Sequence, residues 1–415
     1  MKRQKLVCLL VCLALLFTTP ALRADAVTDW NAITFETLAA AGVRRVPPAT
    51  RTLAMVHAAI YDAVNSIEHR YSPYLVRECA PKGALPYAAA VLAAYTVLLN
   101  IYPDQKLALD TALAKSLSEI PDSPSKALGA AWGTAVGSRF VSLRSNDGSA
   151  QSIAYMEPPA PGVWRPTPPD FTPGVLVAWA QVTPFALLSG SQFRALPPPS
   201  IYKTRFRRDL DEVKALGSLN STVRTPEQTE IALFWAENSD VTWNHIAVIV
   251  AEQRSRSLIS NARLFALLNL SEADGSIIAF DTKYTYNFWR PITAIQEGVI
   301  NGRHTIPPDP SWLPLVSPTP AHPDYTSQHA ILGSASANVL AFFFGTDRIP
   351  FTVTSSSGVA RHFDSFSQAA EENAHSRIYI GYHFRTAVER GLRQGKDLGD
   401  WVCDNFLTND DDDDR

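Results

Sequence analysis

The chain has 415 residues, 46% hydrophobic and only 19% charged, with 37 basic side chains nearly balancing 40 acidic ones. So much apolar material can close a large core, and the length suits two packed subdomains. The near-neutral balance excludes a bulk electrostatic grip on nucleic acid or on an anionic membrane, so any cationic site must come from a few converging side chains.

The chain opens on Lys2-Arg3-Gln4-Lys5, followed by an apolar stretch, Leu6 to Phe17, too short to span a bilayer. With small residues at Ala24-Asp25-Ala26, residues 1–26 read as an export signal cut after Ala26. The mature protein is then expected outside the cytoplasm, periplasmic or extracellular, with no membrane attachment after signal cleavage. Cys8 and Cys12 leave with the signal. Cys79 and Cys403 remain, either as a disulfide or as two buried thiols.

Residues 27–156 read as an N-terminal helical bundle. Leu53, Val56, Ile60, Val64 and Ile67 recur at helical spacing over 51–67. Further helices are predicted over 87–102, 104–120 and 127–144, the last closed by Ser145-Asn146-Asp147-Gly148. Prolines then crowd 157–200, among them Pro166, Pro168, Pro169, Pro173 and Pro197-Pro198-Pro199. They remove amide donors and block regular helix, so this stretch is expected to be an irregular crossover.

Helical patterning returns over 201–408. Thr225-Pro226-Glu227-Gln228 can form a capping box with proline in the first turn. Helices are predicted over 227–236, 243–257, 260–268, 271–289, 327–344 and 382–406. Alternating strand patterns are scarce. The expected fold is all-α, two packed helical bundles with the active site in the C-terminal one. The tail 409–415, with its run of aspartates, reads as solvated.

Three segments carry chemistry. In Lys283-Tyr284-Thr285-Tyr286-Asn287-Phe288-Trp289-Arg290-Pro291, Arg290 lies seven positions after Lys283, which on one helix places both cations on one face. Burying them is costly without an anion between them. In His322-Pro323-Asp324-Tyr325-Thr326-Ser327-Gln328-His329, Thr326 is the natural cap. Ser327, Gln328 and His329 would then fill a first turn whose free amides favour an anion. In the third segment Arg377 and His383 are six apart, poorly aligned on one helix. Gly381 and the β-branched Ile378 and Ile380 place Arg377 before a helix and His383 in its first turn.

Together the segments resemble the three-part signature shared by vanadium-dependent haloperoxidases and type 2 phosphatidic acid phosphatases: Lys, six residues, Arg-Pro; Pro-Ser-Gly-His; Ser-Arg, five residues, His. The stretch Met55-Val56-His57-Ala58-Ala59-Ile60-Tyr61-Asp62 looks like the bacterial haloperoxidase-type members as well. The resemblance implies vanadate as cofactor, or phosphate in a phosphatase, held by Lys283, Arg290, Ser327, the Gln328 amide and Arg377. It implies His383 as the metal ligand, or as the nucleophile of a phospho-histidine mechanism, and His329 as acid–base catalyst. Peroxide, halide and small organic acceptors would be the partners, and a homo-oligomer is left open. His322 stands where bromoperoxidases of the family often have histidine and chloroperoxidases an aromatic, which implies bromide or iodide as the halide and a catalytic part for His322. Phe280 stands where the family favours an aromatic.

Departures are plain. Thr326 and Gln328 replace the signature Pro and Gly, and Ala387 stands where the phosphatases carry an aspartate that steadies the last histidine. A non-catalytic oxyanion binder is therefore a further reading. Trp235, Glu237, Asn238 and Asp240 are candidates to support an arginine. The chain has no Gly-x-Ser-x-Gly elbow, His-Glu-x-x-His helix, phosphate-binding glycine loop or haem-attachment cysteine pair.

Overall fold

A computed structural model describes residues 25–254, 256–299 and 305–409. The expected export signal up to residue 24 and the aspartate run from 410 lie outside them. Asp25 is described: its carboxylate caps α1 (Ala26–Ala40), accepting from Val27 N at 3.0 Å, and takes a hydrogen bond from Asn261. Ala26 is fully buried, so the residues bracketing the expected cut are packed into the first helix.

Two long helices form the centre. α2 (Val46–Glu68) and α9 (Leu258–Tyr286) are buried over most of their length and contribute to one hydrophobic core that runs through both halves of the chain. α9 replaces two predicted helices. The polar Asn269 and Ser271 suggest a break, but Asn269 pairs with Asn244 and Ser271 bonds back to Leu267 O, so helix continues through them.

Each centre helix is flanked by a closely packed pair. α3 (Pro86–Ile101) meets α5 (Pro124–Arg144) through Gly129, Gly133 and Gly137, where an added Cβ would lie 2.2–2.8 Å from backbone oxygens of Leu85, Ala89 and Ala93. α11 (Gln328–Phe344) meets α13 (Arg385–Asn405) through Gly391, Gly395 and Gly399. Glycine at every fourth position lets the backbones approach more closely than side chains permit.

α4 (Lys106–Ser118), α7 (Pro226–Phe234, with the capping box formed) and α8 (Ser239–Gln253) match predicted helices. α6 (Thr204–Leu216), α10 (Pro291–Glu297) and α12 (Phe366–Tyr379) were not anticipated, nor was the antiparallel hairpin β1 (Phe351–Thr354) with β2 (Ala360–Phe363). The crossover is irregular apart from a 3-10 turn at Val177–Gln181. It is clamped to α9 by Asp274, whose carboxylate accepts from the amides of Phe185, Ala186 and Leu187 at 2.7–2.8 Å. Cys79 is exposed and Cys403 buried, both as free thiols. No described helix is long and apolar enough to cross a membrane.

Candidate oxyanion site

α9 ends where Asn287 adopts a left-handed conformation (φ 49°), and the chain leaves as an extended strip pinned to the crossover by Trp164 N to Asn287 O and Trp289 N to Gly162 O. Lys283 is in the last helical turn, whereas Arg290 is the extended cap of α10 with Pro291 after it. The expectation of one shared helical face is therefore corrected. The two cations meet by gripping the same loop. Lys283 Nζ donates to the carbonyls of Pro323, Asp324 and Thr326 at 2.9, 3.0 and 2.6 Å, which uses its three protons. Arg290 Nε donates to His322 O at 2.9 Å, and its Nη1 to Tyr382 O at 3.0 Å.

Arg290 also contacts two histidines. Its Nη1 lies 3.2 Å from His383 Nε2 and its Nη2 3.0 Å from His322 Nδ1. A guanidinium only donates, so His383 Nε2 accepts and the ring carries its proton on Nδ1. That Nδ1 lies 2.9 Å from Asp324 Oδ1, a close contact without hydrogen-bond geometry. His322 Nδ1 is shared between Arg290 and Pro323 O at 3.2 Å, a carbonyl that only accepts, so these contacts leave both tautomers of His322 open. Asp324 thus stands beside the last histidine, where Ala387 offers no carboxylate. Nothing in its spacing singled it out, because it reaches His383 from another segment. Ala387 contributes backbone instead: its carbonyl accepts from Ser327 N at 3.1 Å.

Arg377 falls in the last turn of α12, inside a helix rather than before one, and His383 lies in the linker two residues ahead of α13. The reason is Gly381, whose φ of 88° breaks the helix. A Cβ there would meet Gly217 O at 2.5 Å, so only glycine lets the linker pack against the end of α6. Arg377 Nη1 donates to Trp235 O at 2.9 Å, while its Nε is buried without an acceptor.

Ser327, not Thr326, caps α11: its Oγ accepts from Ala330 N at 3.4 Å, and Thr326 instead donates to Gln394 at 2.5 Å. The first turn therefore starts at Gln328, one residue later than expected, with the amides of Gln328 and His329 at its open end. The Gln328 side chain is held aside, donating to Ser276 Oγ at 3.0 Å on α9. His329 Nε2 lies 3.1 Å from Glu237 O; a carbonyl accepts, so Nε2 holds the proton and Nδ1 is the basic nitrogen. Trp235 and Glu237 thus support Arg377 and His329 through their carbonyls.

His322, Gln328, His329, Arg377 and His383 line one cavity of about 370 Å³, with Phe280 in its wall 5.2 Å from the His322 ring. Lys283, Arg290 and Ser327 are fully buried and absent from that lining; Arg290 touches two of its members. Burial holds Lys283 well below its usual range and lowers Arg290 and Arg377 to about 10. It pushes Asp324 up to about 7, and with the neighbouring cations it keeps His322, His329 and His383 neutral. Three buried cations thus face one carboxyl that is itself driven toward neutrality. The balance needs an anion, and the partnerless Arg377 Nε offers it a donor.

A family model described as the VCPO second helical-bundle domain matches residues 263–409. The vanadium chloroperoxidase of Curvularia inaequalis is 29% identical over 231 residues, a match spanning 40% of this chain and 37% of that protein. A crystal structure described as the first bacterial vanadium-dependent iodoperoxidase superposes with a TM-score of 0.79 at 26% identity, covering 93% of this chain and 96% of that one. The apo form of a bacterial vanadium-dependent chloroperoxidase shares the fold, with a TM-score of 0.71 at 19% identity over 87% and 93% of the two chains.

Proposed function

We propose that the chain, which is similar to vanadium haloperoxidases in its C-terminal part and in its fold, binds vanadate in its cavity and oxidises iodide or bromide with hydrogen peroxide. The observation that carries the reading is His383. Arg290 places the lone pair of the His383 ring on Nε2, leaving the proton on Nδ1 beside Asp324, and the ring lies within the lining that also holds Arg377. A neutral imidazole with its proton beside a carboxylate on one nitrogen and its lone pair on the other suits a histidine metal ligand.

Arg377 and the Gln328 amide, which line the cavity, would hold the vanadate oxygens, and Arg290, Ser327 and Lys283 would add charge and polarity from behind that lining. When bound, vanadate supplies the Lewis acid that activates peroxide for two-electron oxidation of halide. His329 Nδ1 takes a proton from incoming peroxide and returns it to the departing oxygen. His322 is pinned through Nδ1 between Arg290 and Pro323 O, which leaves its Nε2 edge as a polar surface for halide.

That edge, in place of an aromatic face, is the basis for preferring the more easily oxidised halides, and the similarity to a bacterial iodoperoxidase structure supports it. Steady-state rates with iodide, bromide and chloride test the proposal. We expect iodide and bromide to be used with little chloride oxidation, and His322→Phe to shift the ratio toward chloride. Efficient chloride oxidation by the wild type, or identical ratios in the variant, would remove the halide assignment.

A further inference from the structure

We propose that Arg44 and Arg45 form a second anion site at the mouth of the same cavity, seating the carboxylate of a small organic acceptor whose hydrocarbon body lies on the apolar wall. The proposal rests on the haloperoxidase reading for its purpose and on the mouth itself for its chemistry. Both arginines come from the short linker between α1 and α2, line the cavity and are exposed. The linker is fixed to the catalytic side: Asn238 Nδ2 donates to Arg44 O at 3.3 Å. Asn238 directly follows the segment whose Trp235 and Glu237 carbonyls hold Arg377 and His329. Mouth and floor therefore share one frame.

Charge at the mouth is unspent. Arg51, one and a half turns along α2, pairs with Asp147, and Arg361 and Arg385 pair with glutamates. Arg44 and Arg45 enter no ion pair among the described residues. Asp170 is the acidic member of the lining and pairs with neither. Once an oxyanion balances the floor, the mouth keeps two guanidinium groups against one carboxylate. Being exposed, they meet a ligand without a large desolvation cost, and their planar forks match a carboxylate.

Size and polarity point the same way. About 370 Å³ is far more room than halide and peroxide occupy, and it falls in the range of pockets for small organic molecules. Val46, Pro47, Val175, Leu176 and Pro320 supply the apolar surface. Apart from Pro320 the site is built by the N-terminal half and the crossover, outside the matched 263–409 that carries the signature residues.

The test is calorimetric binding of para-hydroxybenzoate and of its methyl ester to the vanadate-loaded protein, without peroxide, so that no turnover enters the readout. The acid should bind at least about tenfold more tightly than the ester. R44A/R45A should erase the difference, and R44K/R45K should keep most of it. Arg45 makes no side-chain capping bond to α2, so the alanine pair leaves that helix start intact. Equal binding of acid and ester by the wild type, no binding of either, or a preference that survives R44A/R45A would overturn the mouth site. If the protein takes up no vanadate, it is the haloperoxidase reading that fails. The same comparison is then made with inorganic phosphate occupying the floor, and it decides the mouth site independently.

Discussion

On the floor of the cavity the polar side chains converge around Arg290. It donates to His383 Nε2, whose Nδ1 lies 2.9 Å from Asp324, and its other terminal nitrogen meets His322 Nδ1. Removing one donor from a buried anion leaves an oxygen short of a partner. Arg377→Ala should therefore weaken vanadate binding by at least about tenfold, about 1.4 kcal/mol, in calorimetric titration. Unchanged affinity would mean that the orphaned Nε points to no ligand. The two histidines proposed as vanadate ligand and acid–base group should fail differently. His383→Ala should lose both vanadate and activity, whereas His329→Ala should keep vanadate and turn over roughly two to four orders of magnitude more slowly. Vanadate loss in His329→Ala with retention in His383→Ala would exchange their roles. That His322, Gln328, His329, Arg377 and His383 gather in one place was legible because the signature spaces them in sequence. Asp324 was not, since its link to His383 crosses from one segment to another, and neither was the commitment of Lys283 to three carbonyls.

Elements place these side chains through their ends. Lys283, Arg290, Ser327, Arg377 and His383 all stand within a residue or a turn of where a helix stops or starts. Helix interiors were the readable part: the capping box at Thr225 and Gln228 and the apolar rows of α2 carry their own signals. The ends were not readable, because packing sets them. Gly381 stops the chain between α12 and α13 only because Gly217 and Pro314 press on it. Gly381→Ala combines a strained φ of 88° with a 2.5 Å backbone clash. It should cost roughly 2–4 kcal/mol of stability and weaken vanadate binding by displacing His383. Gly83→Ala is the control, with φ 85° and open space around it. It should cost only about 1–2 kcal/mol and leave vanadate affinity alone. Denaturant unfolding and vanadate titration of both variants check this; equal effects on both quantities would mean that linker packing does not position His383.

Across the whole molecule one core joins the halves, and burial within it changes how the protein responds to pH. His57 on α2 is fully buried, donates from Nε2 to Asn31 at 2.9 Å, and is lowered to about 3 by burial. It stays neutral when folded but takes up a proton below about 6.5 when unfolded, so acid favours unfolding. Its contribution to stability is therefore full above 6.5 and falls by about 1.4 kcal/mol for each pH unit lost toward 4. Urea unfolding at several pH values should show a shallower acid limb for His57→Gln than for the wild type; parallel limbs would refute the assignment. Helix content and the two-bundle plan were legible from composition and periodicity. The shared core was not, because contacts between α2 and α9 leave no local trace in sequence. The central claim is that this core holds a vanadate-dependent haloperoxidase site, and its most direct test starts from protein dialysed free of oxyanions. Peroxide-dependent iodide oxidation should be absent, should appear in proportion to added vanadate, and should be suppressed by phosphate. No vanadate-dependent oxidation, with phosphomonoester hydrolysis by the vanadate-free protein instead, would contradict it.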